Sequence, residues 1–228
     1  KPEEMANLLA LVRMKFPRAS SFRLAPMNPD SHAYQTLLSA LQLQGWMPFE
    51  FFAFGNWYLP VRDSWQDYLS NRDGMLRSTL KRRSKKFSNV GGTLQLVSKA
   101  SDMPAAISAY EQVYAKSWKT PEPFVDFSSG LLKMCASQGW LRLGMAWIAG
   151  KPIAAQLWIV ANGRAEIYKV AYDEGFKTYS PGTLVTAMLM QHVQEVDKVH
   201  EVDYLIGDDA YKKAWMTHRR ERWGIVAY

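Results

Sequence analysis

Three apolar segments that follow one another with only short connectors constrain the fold of this chain more than any other feature. Each segment is rich in strand-forming residues, and each connector contains a glycine. Connectors of this length and composition are typical of antiparallel hairpins. The sequence therefore predicts a meander of three strands, Trp140–Ile148, Pro152–Ala161 and Ala165–Tyr172, joined through Ala149-Gly150-Lys151 and Asn162-Gly163-Arg164.

The residues after the meander predict a helix and two further strands. From Gly182 to Val196, apolar residues recur every three or four positions, which lays one apolar stripe along a helix. Strand patterns follow at Val202–Gly207 and Arg222–Tyr228, with a short helical segment between them. Elements in this order predict an α/β fold in which helices pack on a mixed sheet.

The residues before the meander add helices and a hairpin to this prediction. The aromatic segment Phe49–Val61 is rich in strand formers and contains Gly55-Asn56, so it predicts a hairpin that turns at this pair. Residues from Trp65 to about Ser88 predict one long helix, which Gly91-Gly92 ends. The other predicted elements are helices at Glu3–Phe16, His32–Gln44, Asp102 to about Lys116 and through Leu131–Ala136, and strands at Ser21–Pro26 and Thr93–Val97.

The predicted helix Trp65–Ser88 carries most of the excess positive charge. The net charge is +7 at pH 7, and residues 77–86 contain six basic side chains and no acidic one. Two interpretations stay open: a solvated basic face, or a site for the phosphates of a cofactor, a tRNA or an anionic polymer. No aromatic residues alternate with these bases, and no zinc-finger or helix-turn-helix pattern accompanies them, which argues against a module that reads DNA sequence.

Several classes of protein are excluded by simple patterns. The single cysteine, Cys135, rules out an intramolecular disulfide framework, and we expect a reducing, cytoplasmic compartment. The longest apolar runs, such as Ile153–Ala161, are too short to span a membrane. The four histidines lack metal-ligand spacing, so we expect no metal, and no Gly-x-Ser-x-Gly segment supports a hydrolase. The chain opens on Lys1 rather than Met, which leaves an earlier targeting segment open.

Five short motifs in order carry a family resemblance. They are Gly-Trp-Leu-Arg-Leu, Lys-Pro-Ile-Ala-Ala, Tyr-Lys-x-Ala-Tyr-Asp, Ser-Pro-Gly and Gly-Asp-x-x-Tyr-Lys-x-x-Trp, within about Trp65 to Trp215. The combination resembles the GNAT-like acetyltransferases that include members associated with cellulose and exopolysaccharide biosynthesis. It is more distantly similar to the Fem-type aminoacyltransferases of peptidoglycan synthesis, which contain two GNAT-like domains in tandem. The resemblance implies a GNAT-like acyltransferase domain at residues 63–228, with a mostly antiparallel sheet, and part of a second, degenerate GNAT-like half at residues 1–62.

The Ser-Pro-Gly motif marks a helix start that could hold an anion. The first turns of this helix contain no acidic residue, and a helix start offers unpaired N–H groups at the positive end of its dipole. By resemblance, Lys177 supplies a charge, Ser180-Pro181-Gly182 approaches the pyrophosphate of acetyl-CoA, and the amides of Gly182, Thr183 and Leu184 bind it. The family loop has its first glycine where this chain has Ser180, so a plain tight turn is the alternative.

Acyl transfer to an amine needs a base for the amine, a polarised carbonyl and an acid for the leaving thiolate. The resemblance implies that a backbone N–H within Val170-Ala171-Tyr172 meets the carbonyl and that Tyr211 is the acid. Candidate bases are Asp173 and Asp208. Strand alternation places Lys169 and Asp173 on one face with Ile167 and Ala171, so the two charged residues could line one cleft or form a surface ion pair. A Tyr211 ring that only packs on the sheet is the alternative to an acid.

The sequence thus predicts an N-acyltransferase that moves an acyl group, acetyl by preference, from acyl-CoA to a small-molecule amine. By resemblance alone, the acceptor is an amino sugar or a precursor of envelope or exopolysaccharide. One alternative is a Fem-type transfer from aminoacyl-tRNA, with the tRNA or another anionic polymer on the basic helix at residues 77–86. Another alternative is a GNAT-like module that binds a nucleotide or a polyanion without catalysis.

Overall fold

The structure, a computed structural model, describes residues 1–228 and contains eight α-helices and eight β-strands. None of the helices is both long enough and apolar enough to cross a membrane. In chain order the elements are α1 (Pro2–Lys15), β1 (Phe22–Met27), α2 (His32–Leu43), β2 (Pro48–Pro60), α3 (Trp65–Ser70), α4 (Gly74–Ser88), β3 (Thr93–Val97), α5 (Met103–Ala115), α6 (Phe127–Ser137), β4 (Leu141–Ile148), β5 (Lys151–Ala161), β6 (Arg164–Tyr172), α7 (Pro181–Glu195), β7 (Glu201–Asp203), α8 (Ala210–Trp215) and β8 (His218–Ala227), with 3₁₀ turns at Ala100–Asp102 and Glu174–Tyr179.

The chain divides into two compact units. The smaller unit comprises residues 1–57, 206–209 and 219–228, and the larger unit comprises residues 58–205 and 210–218. In the smaller unit, β8 lies between β1 and β2, and α1 and α2 bury one apolar cluster with β8. That cluster comprises Ala6, Leu9, Tyr34, Leu37, Ala40, Leu41, Ile225 and Ala227. The predicted division between residues 62 and 63 stays a prediction.

The larger unit confirms the predicted meander. Its strands follow the order β2, β7, β6, β5, β4, β3, and only the pairing of β6 with β7 is parallel. Both meander turns have two residues with positive φ, Ala149 at 48° with Gly150 at 74°, and Asn162 at 51° with Gly163 at 70°. Such turns match the right-handed twist of the strands that they join. The fold is therefore α/β with a mixed, mostly antiparallel sheet flanked by helices, as predicted.

Helices cover both faces of this sheet. On one face, α5 and α6 bury an apolar core with alternate residues of β4, β5 and β6, among them Leu143, Leu157 and Ala171. On the other face α7 lies so close to β4 that a Cβ on Gly144 would come within 2.7 Å of Val185 and 2.8 Å of Leu189. The glycine therefore lets the helix reach the sheet, and it fixes the height of α7 above β5 and β6.

The predicted hairpin within Phe49–Val61 is wrong, because Pro48–Pro60 forms the single strand β2. A two-residue hairpin turn needs positive φ, and neither Gly55 nor Asn56 has it. Gly55 serves another purpose in the smaller unit. A Cβ at this position would lie 2.6 Å from the Asp208 carboxylate and 2.7 Å from the Arg219 guanidinium. The glycine marks a close approach of side chains rather than a turn.

The predicted helix Trp65–Ser88 is also wrong in its continuity, because it is two helices, α3 and α4. Asp73 is the N-cap of α4, and its side chain accepts a hydrogen bond from the Met75 amide at 2.7 Å. An aspartate that caps a new helix stops the previous one, since its carboxylate replaces a backbone partner. The basic residues 77–86 all lie on α4.

Strand β6 contains a β-bulge that alters the predicted faces. Lys169 pairs with Leu157 but Ile167 pairs with Trp158, so Tyr168 is an extra residue between them. An extra residue shifts the alternation of every side chain that follows it. The face toward α5 and α6 therefore carries Glu166, Tyr168, Lys169 and Ala171, whereas the face toward α7 carries Ile167, Val170 and Tyr172.

The predicted strand Val202–Gly207 shortens to Glu201–Asp203 in β7. The Asp203 carboxylate accepts a hydrogen bond from the Leu205 amide at 2.7 Å, and Leu205 has a positive φ of 53°. A side-chain turn of this kind competes with strand pairing and redirects the backbone. As a result, β6 continues for six residues, Ile167–Tyr172, beyond its last pairing with β7.

Candidate active site

The start of α7 has two backbone N–H groups without a helical partner. Ser180 is the N-cap in a left-handed conformation, with φ 52° and ψ 48°, and its side chain does not cap the helix. Pro181 occupies the first helical position and has no N–H. The Leu184 amide, one of the three predicted phosphate donors, instead bonds to the Ser180 carbonyl at 3.2 Å. The amides of Gly182 and Thr183 remain available for an anion.

A buried polar network lies behind this helix start. The Gln156 side chain, 1% exposed, donates from Nε2 to the Gly182 carbonyl at 2.8 Å and to Thr186 Oγ1 at 2.9 Å. Its Oε1 accepts a hydrogen bond from Trp158 Nε1 at 2.9 Å. Because the side chains of Gln156, Thr186 and Trp158 are all buried, the network fixes the orientation of the first turn of α7.

Tyr211 meets the same network from α8. Its hydroxyl lies 3.2 Å from Thr186 Oγ1, and 42% of the residue remains exposed to solvent. Two hydrogen bonds hold the C-terminal end of α8 in place. Tyr68 of α3 donates to the Trp215 carbonyl at 2.6 Å, and Arg72, just after α3, donates to the Met216 carbonyl at 3.2 Å. The phenol of Tyr211 is therefore anchored at its hydroxyl and remains reachable by a ligand.

The free edge of β6 offers backbone donors beside this network. The Asp173 amide bonds to the Ile153 carbonyl of β5 at 2.8 Å. Successive amides of a strand point to opposite edges, so the Ala171 amide also points to β5, whereas those of Val170 and Tyr172 point away from it. No strand pairs with β6 on that side, because β7 ends opposite Glu166. Of the three predicted residues, Val170 and Tyr172 thus present their amides.

Lys169 and Asp173 do not pair with each other. Lys169 Nζ donates to Glu122 Oε1 at 2.5 Å, and the Tyr114 hydroxyl donates to the same oxygen at 2.8 Å. These hydrogen bonds, first that of Lys169, hold the pKa of Glu122 below its ordinary value. Burial alone would lower the pKa of Lys169, but its bond to Glu122 raises it. Both groups are therefore charged at neutral pH.

Asp173 begins the turn that leads to the Ser-Pro-Gly segment. Its carboxylate accepts a hydrogen bond from the Gly175 amide at 3.0 Å and lies 3.4 Å from Lys151 Nζ. The residue is 8% exposed. Lys177 follows in the same turn; its carbonyl accepts a hydrogen bond from the Ser180 amide at 3.0 Å, and its side chain is exposed.

Asp208, the other candidate base, belongs to the smaller unit. Its carboxylate accepts hydrogen bonds from Trp57 Nε1 at 2.6 Å and from Arg219 Nε at 2.9 Å, and it lies 2.7 Å from Arg219 Nη2. The hydrogen bond to Asp208 raises the pKa of Arg219. These contacts fix the orientation of the carboxylate.

The basic helix α4 touches the turn that precedes α7. Arg83 donates a hydrogen bond to the Thr178 carbonyl, and Lys86 lies over the ring of Tyr179 at 5.1 Å. Arg83 is half-buried, whereas Lys81, Arg82 and Lys85 are exposed. The positive charge of α4 therefore extends from solvent to within two residues of Ser180.

Sequence reasoning missed five side chains at this site. Gln156, Thr186 and Tyr204 carry no motif, and their role depends on which strand and helix faces meet. Glu122 and Trp118 lie on the loop between α5 and α6, where the Trp118 ring packs 4.7 Å from that of Tyr172. A proline on each side of Glu122 was the only local signal that this loop is ordered. No group of three or more His, Cys, Asp or Glu side chains could hold a metal ion.

The profile of the acetyltransferase (GNAT) domain matches residues 75–213, more than half of the chain. No curated protein sequence matches the chain.

Solved structures show the same fold at low sequence identity. FemX superposes with a TM-score of 0.69 at 12% identity, over 100% of this chain and 77% of FemX. The C-terminal domain of an Agrobacterium fabrum protein described as a lysylphosphatidylglycerol synthetase superposes with a TM-score of 0.65 at 14% identity. The match covers 96% of this chain and 71% of that domain. L-PGS from Bacillus licheniformis superposes with a TM-score of 0.62 at 10% identity, over 97% of this chain and 71% of L-PGS.

Proposed function

Because this chain belongs to the acetyltransferase (GNAT) domain family and is an acyltransferase, we propose that it transfers an acetyl group from acetyl-CoA to an amine. The observation that carries the proposal is the chain of hydrogen bonds from the start of α7 to Tyr211. Thr186 Oγ1 donates to the Gly182 carbonyl at 3.0 Å and lies 3.2 Å from the Tyr211 hydroxyl. Two free amides for a pyrophosphate and an acid for a leaving group thus belong to one connected site.

The proposed reaction proceeds without a covalent enzyme intermediate. The amine nitrogen forms a bond to the acyl carbon, whose oxygen is stabilised by the Val170 or Tyr172 amide at the free edge of β6. The carbon–sulfur bond then breaks, and Tyr211 gives its proton to the sulfur. Solvent reprotonates Tyr211, which is 42% exposed.

The amine must lose a proton, and the candidate bases differ in their surroundings. Asp173 already accepts a hydrogen bond from Gly175 and faces Lys151. Asp208 is ion-paired with Arg219 at 2.7 Å in the smaller unit, so it is held more tightly than Asp173, which lies 3.4 Å from Lys151. Glu122 uses Oε1 for both of its hydrogen bonds, so Oε2 is available to bind an acceptor ammonium. We propose Asp173 as the base and Glu122 as a group that binds the acceptor.

The acceptor in this proposal is an amino sugar or a related precursor of envelope or exopolysaccharide, and the reaction is cytoplasmic. Supporting it, Trp118 is 49% exposed and packs on Tyr172, so an aromatic surface for a sugar ring lies at the end of β6. Sugar rings pack their C–H faces on such aromatic surfaces by burying apolar area. The carboxylate of Glu122 supplies charge for the amine.

Titration with acetyl-CoA tests the donor. If the amides of Gly182 and Thr183 hold a pyrophosphate, acetyl-CoA should raise the melting temperature. At a hundredfold excess over Kd, the free energy of unfolding should increase by about 2.7 kcal/mol. Acetylation of a panel of amino sugars and simple amines is measured in the same experiment. If millimolar acetyl-CoA does not change the melting temperature, acyl-CoA is not the donor. Binding without transfer to any amine would favour a non-catalytic nucleotide-binding module.

A second candidate is transfer from aminoacyl-tRNA. The contacts of α4 with the turn before α7, through Arg83 and Lys86, favour it. A polyanion on the exposed bases of α4 would reach the same helix start that the pyrophosphate would use. The structural similarity to FemX adds the fold alone to this argument.

Substituting three exposed bases of α4, Lys81, Arg82 and Lys85, with Gln tests this candidate. If tRNA binds there, its affinity should fall and the slope of log K against log salt should decrease by about 0.7–0.9 for each lost phosphate contact. Arg83 and Lys86 are kept because they hold the turn before α7. The control replaces three exposed lysines elsewhere, Lys99, Lys133 and Lys198, with Gln and should leave binding unchanged. Equal losses in both variants would refute a site on α4.

A further inference from the structure

Thr186 has one hydroxyl proton and more than one acceptor within reach. Its Oγ1 lies 3.0 Å from the Gly182 carbonyl, 3.3 Å from Gln156 Oε1 and 3.2 Å from the Tyr211 hydroxyl. The Gly182 carbonyl does not depend on Thr186, because Gln156 Nε2 also donates to it. The Thr186 hydroxyl can therefore rotate from Gly182 to Tyr211 without leaving a buried carbonyl unpaired.

Tyr204 adds a second hydroxyl to the same place. It is 4% exposed, and its ring meets that of Tyr211 edge to face with centroids 6.2 Å apart. Its hydroxyl lies beside those of Thr186 and Tyr211, which affect its pKa through hydrogen bonding, but it makes no hydrogen bond of good geometry in the resting site. Burial raises the pKa of Tyr204 well above its ordinary value, so this phenol keeps its proton and remains a donor. A buried donor without a partner is costly and calls for a reason.

We propose that Thr186 and Tyr204 are positioning residues that donate hydrogen bonds to the phenolate formed when Tyr211 gives its proton to the leaving group. The proposal rests on the acyl transfer proposed above. When the carbon–sulfur bond breaks, the Tyr211 proton moves to sulfur and the phenolate keeps the electron pair of its O–H bond. Thr186 then rotates its hydroxyl toward the phenolate while Gln156 continues to satisfy Gly182. Tyr204 then donates to the phenolate a stronger hydrogen bond than any that it makes in the resting site, because the acceptor is now charged.

The Tyr204→Phe variant separates this role from a structural one. It should lower kcat for acetyl transfer about tenfold, because a hydrogen bond to a charged group is made only after proton transfer, and leave KM for acetyl-CoA unchanged. The melting temperature should stay the same or rise, since a buried hydroxyl without a partner is removed. The matched control is Tyr110→Phe. Tyr110 is 2% exposed and its hydroxyl also makes no hydrogen bond of good geometry, but it belongs to α5 and lies in the core on the opposite face of the sheet from α7.

Thr186 is tested by removing and restoring its hydroxyl. Thr186→Val keeps the shape and should lower kcat about tenfold, whereas Thr186→Ser should recover most of the rate. In a Tyr211→Phe background, Thr186→Val and Tyr204→Phe should each have no further effect on kcat, because no phenolate forms. Losses that persist unchanged in that background would overturn the proposal, as the two residues would then act on something other than Tyr211.

The outcomes distinguish this inference from the proposed function. If the wild-type protein acetylates an amine but Tyr204→Phe and Thr186→Val turn over at the wild-type rate, the inference is wrong and the proposed function stands. If the wild-type protein neither binds nor uses acetyl-CoA, both are wrong, and the wild-type measurement alone shows it.

Discussion

Replacing Tyr211 with Phe should lower kcat for acetyl transfer by on the order of 10²-fold or more, because the leaving thiolate loses its proton donor. Donor affinity and melting temperature should stay close to wild type, since the ring remains and the residue is 42% exposed. Proton transfer is needed only in the transition state, so the loss should appear in kcat and kcat/KM equally. The measurement is steady-state kinetics together with calorimetric titration of acetyl-CoA.

Two results would count against this assignment of the acid. If Tyr211→Phe turns over at the wild-type rate while chemistry is rate-limiting, a water must supply the proton. If instead KM for acetyl-CoA rises while kcat is unchanged, Tyr211 only helps to bind the donor. A loss of folding would show as a lower melting temperature.

Replacing Gly182 with Ala should raise the dissociation constant for acetyl-CoA by roughly tenfold to a hundredfold, the loss expected from one or two hydrogen bonds to a charged group. The new methyl group has room in the protein, since its nearest neighbour is Tyr172 at 3.6 Å. It would instead occupy the space beside the two free amides. Because Ala is favoured over Gly in a helix by about 0.5–1 kcal/mol, the variant should be as stable as wild type or more so.

Gly130→Ala is the matched control for this prediction. Gly130 lies in α6 with no atom within 4 Å of an added Cβ. The substitution should bring the same gain in stability without any change in donor affinity. If the Gly182→Ala variant binds acetyl-CoA as tightly as wild type, the start of α7 is not part of the donor site.

The elements that could be predicted from the sequence are those fixed by local chemistry. The meander follows from apolar segments and from turns whose Ala149-Gly150 and Asn162-Gly163 pairs adopt positive φ. The start of α7 follows from Ser-Pro-Gly and an apolar stripe. In both cases the signal lies within a few residues, so no knowledge of distant contacts is needed.

The elements that could not be predicted depend on distant contacts. Gly55 looked like a turn residue, but the side chains of Asp208 and Arg219 explain it. Lys169 looked like a partner for Asp173, but it pairs with Glu122 across 47 positions of sequence. Thr186 meets Gln156 of β5 because α7 lies close to the sheet, as Gly144 allows. A sequence pattern carries no information about which faces of different elements will meet.

Because of the bulge at Tyr168, the number of residues in β6 determines which side chains lie on each face of the sheet. If Tyr168 paired with Leu157 in regular register instead of forming the bulge, Lys169 would pair with Gln156 and place its ammonium in the buried network behind Gly182. The amides now at the free edge would turn to β5 as well. An insertion or deletion of one residue within β6, other than the loss of Tyr168 itself, is therefore expected to be tolerated less well than a substitution. A shift of one residue moves every following side chain of β6 to the other face of the sheet, and no single substitution can reverse that.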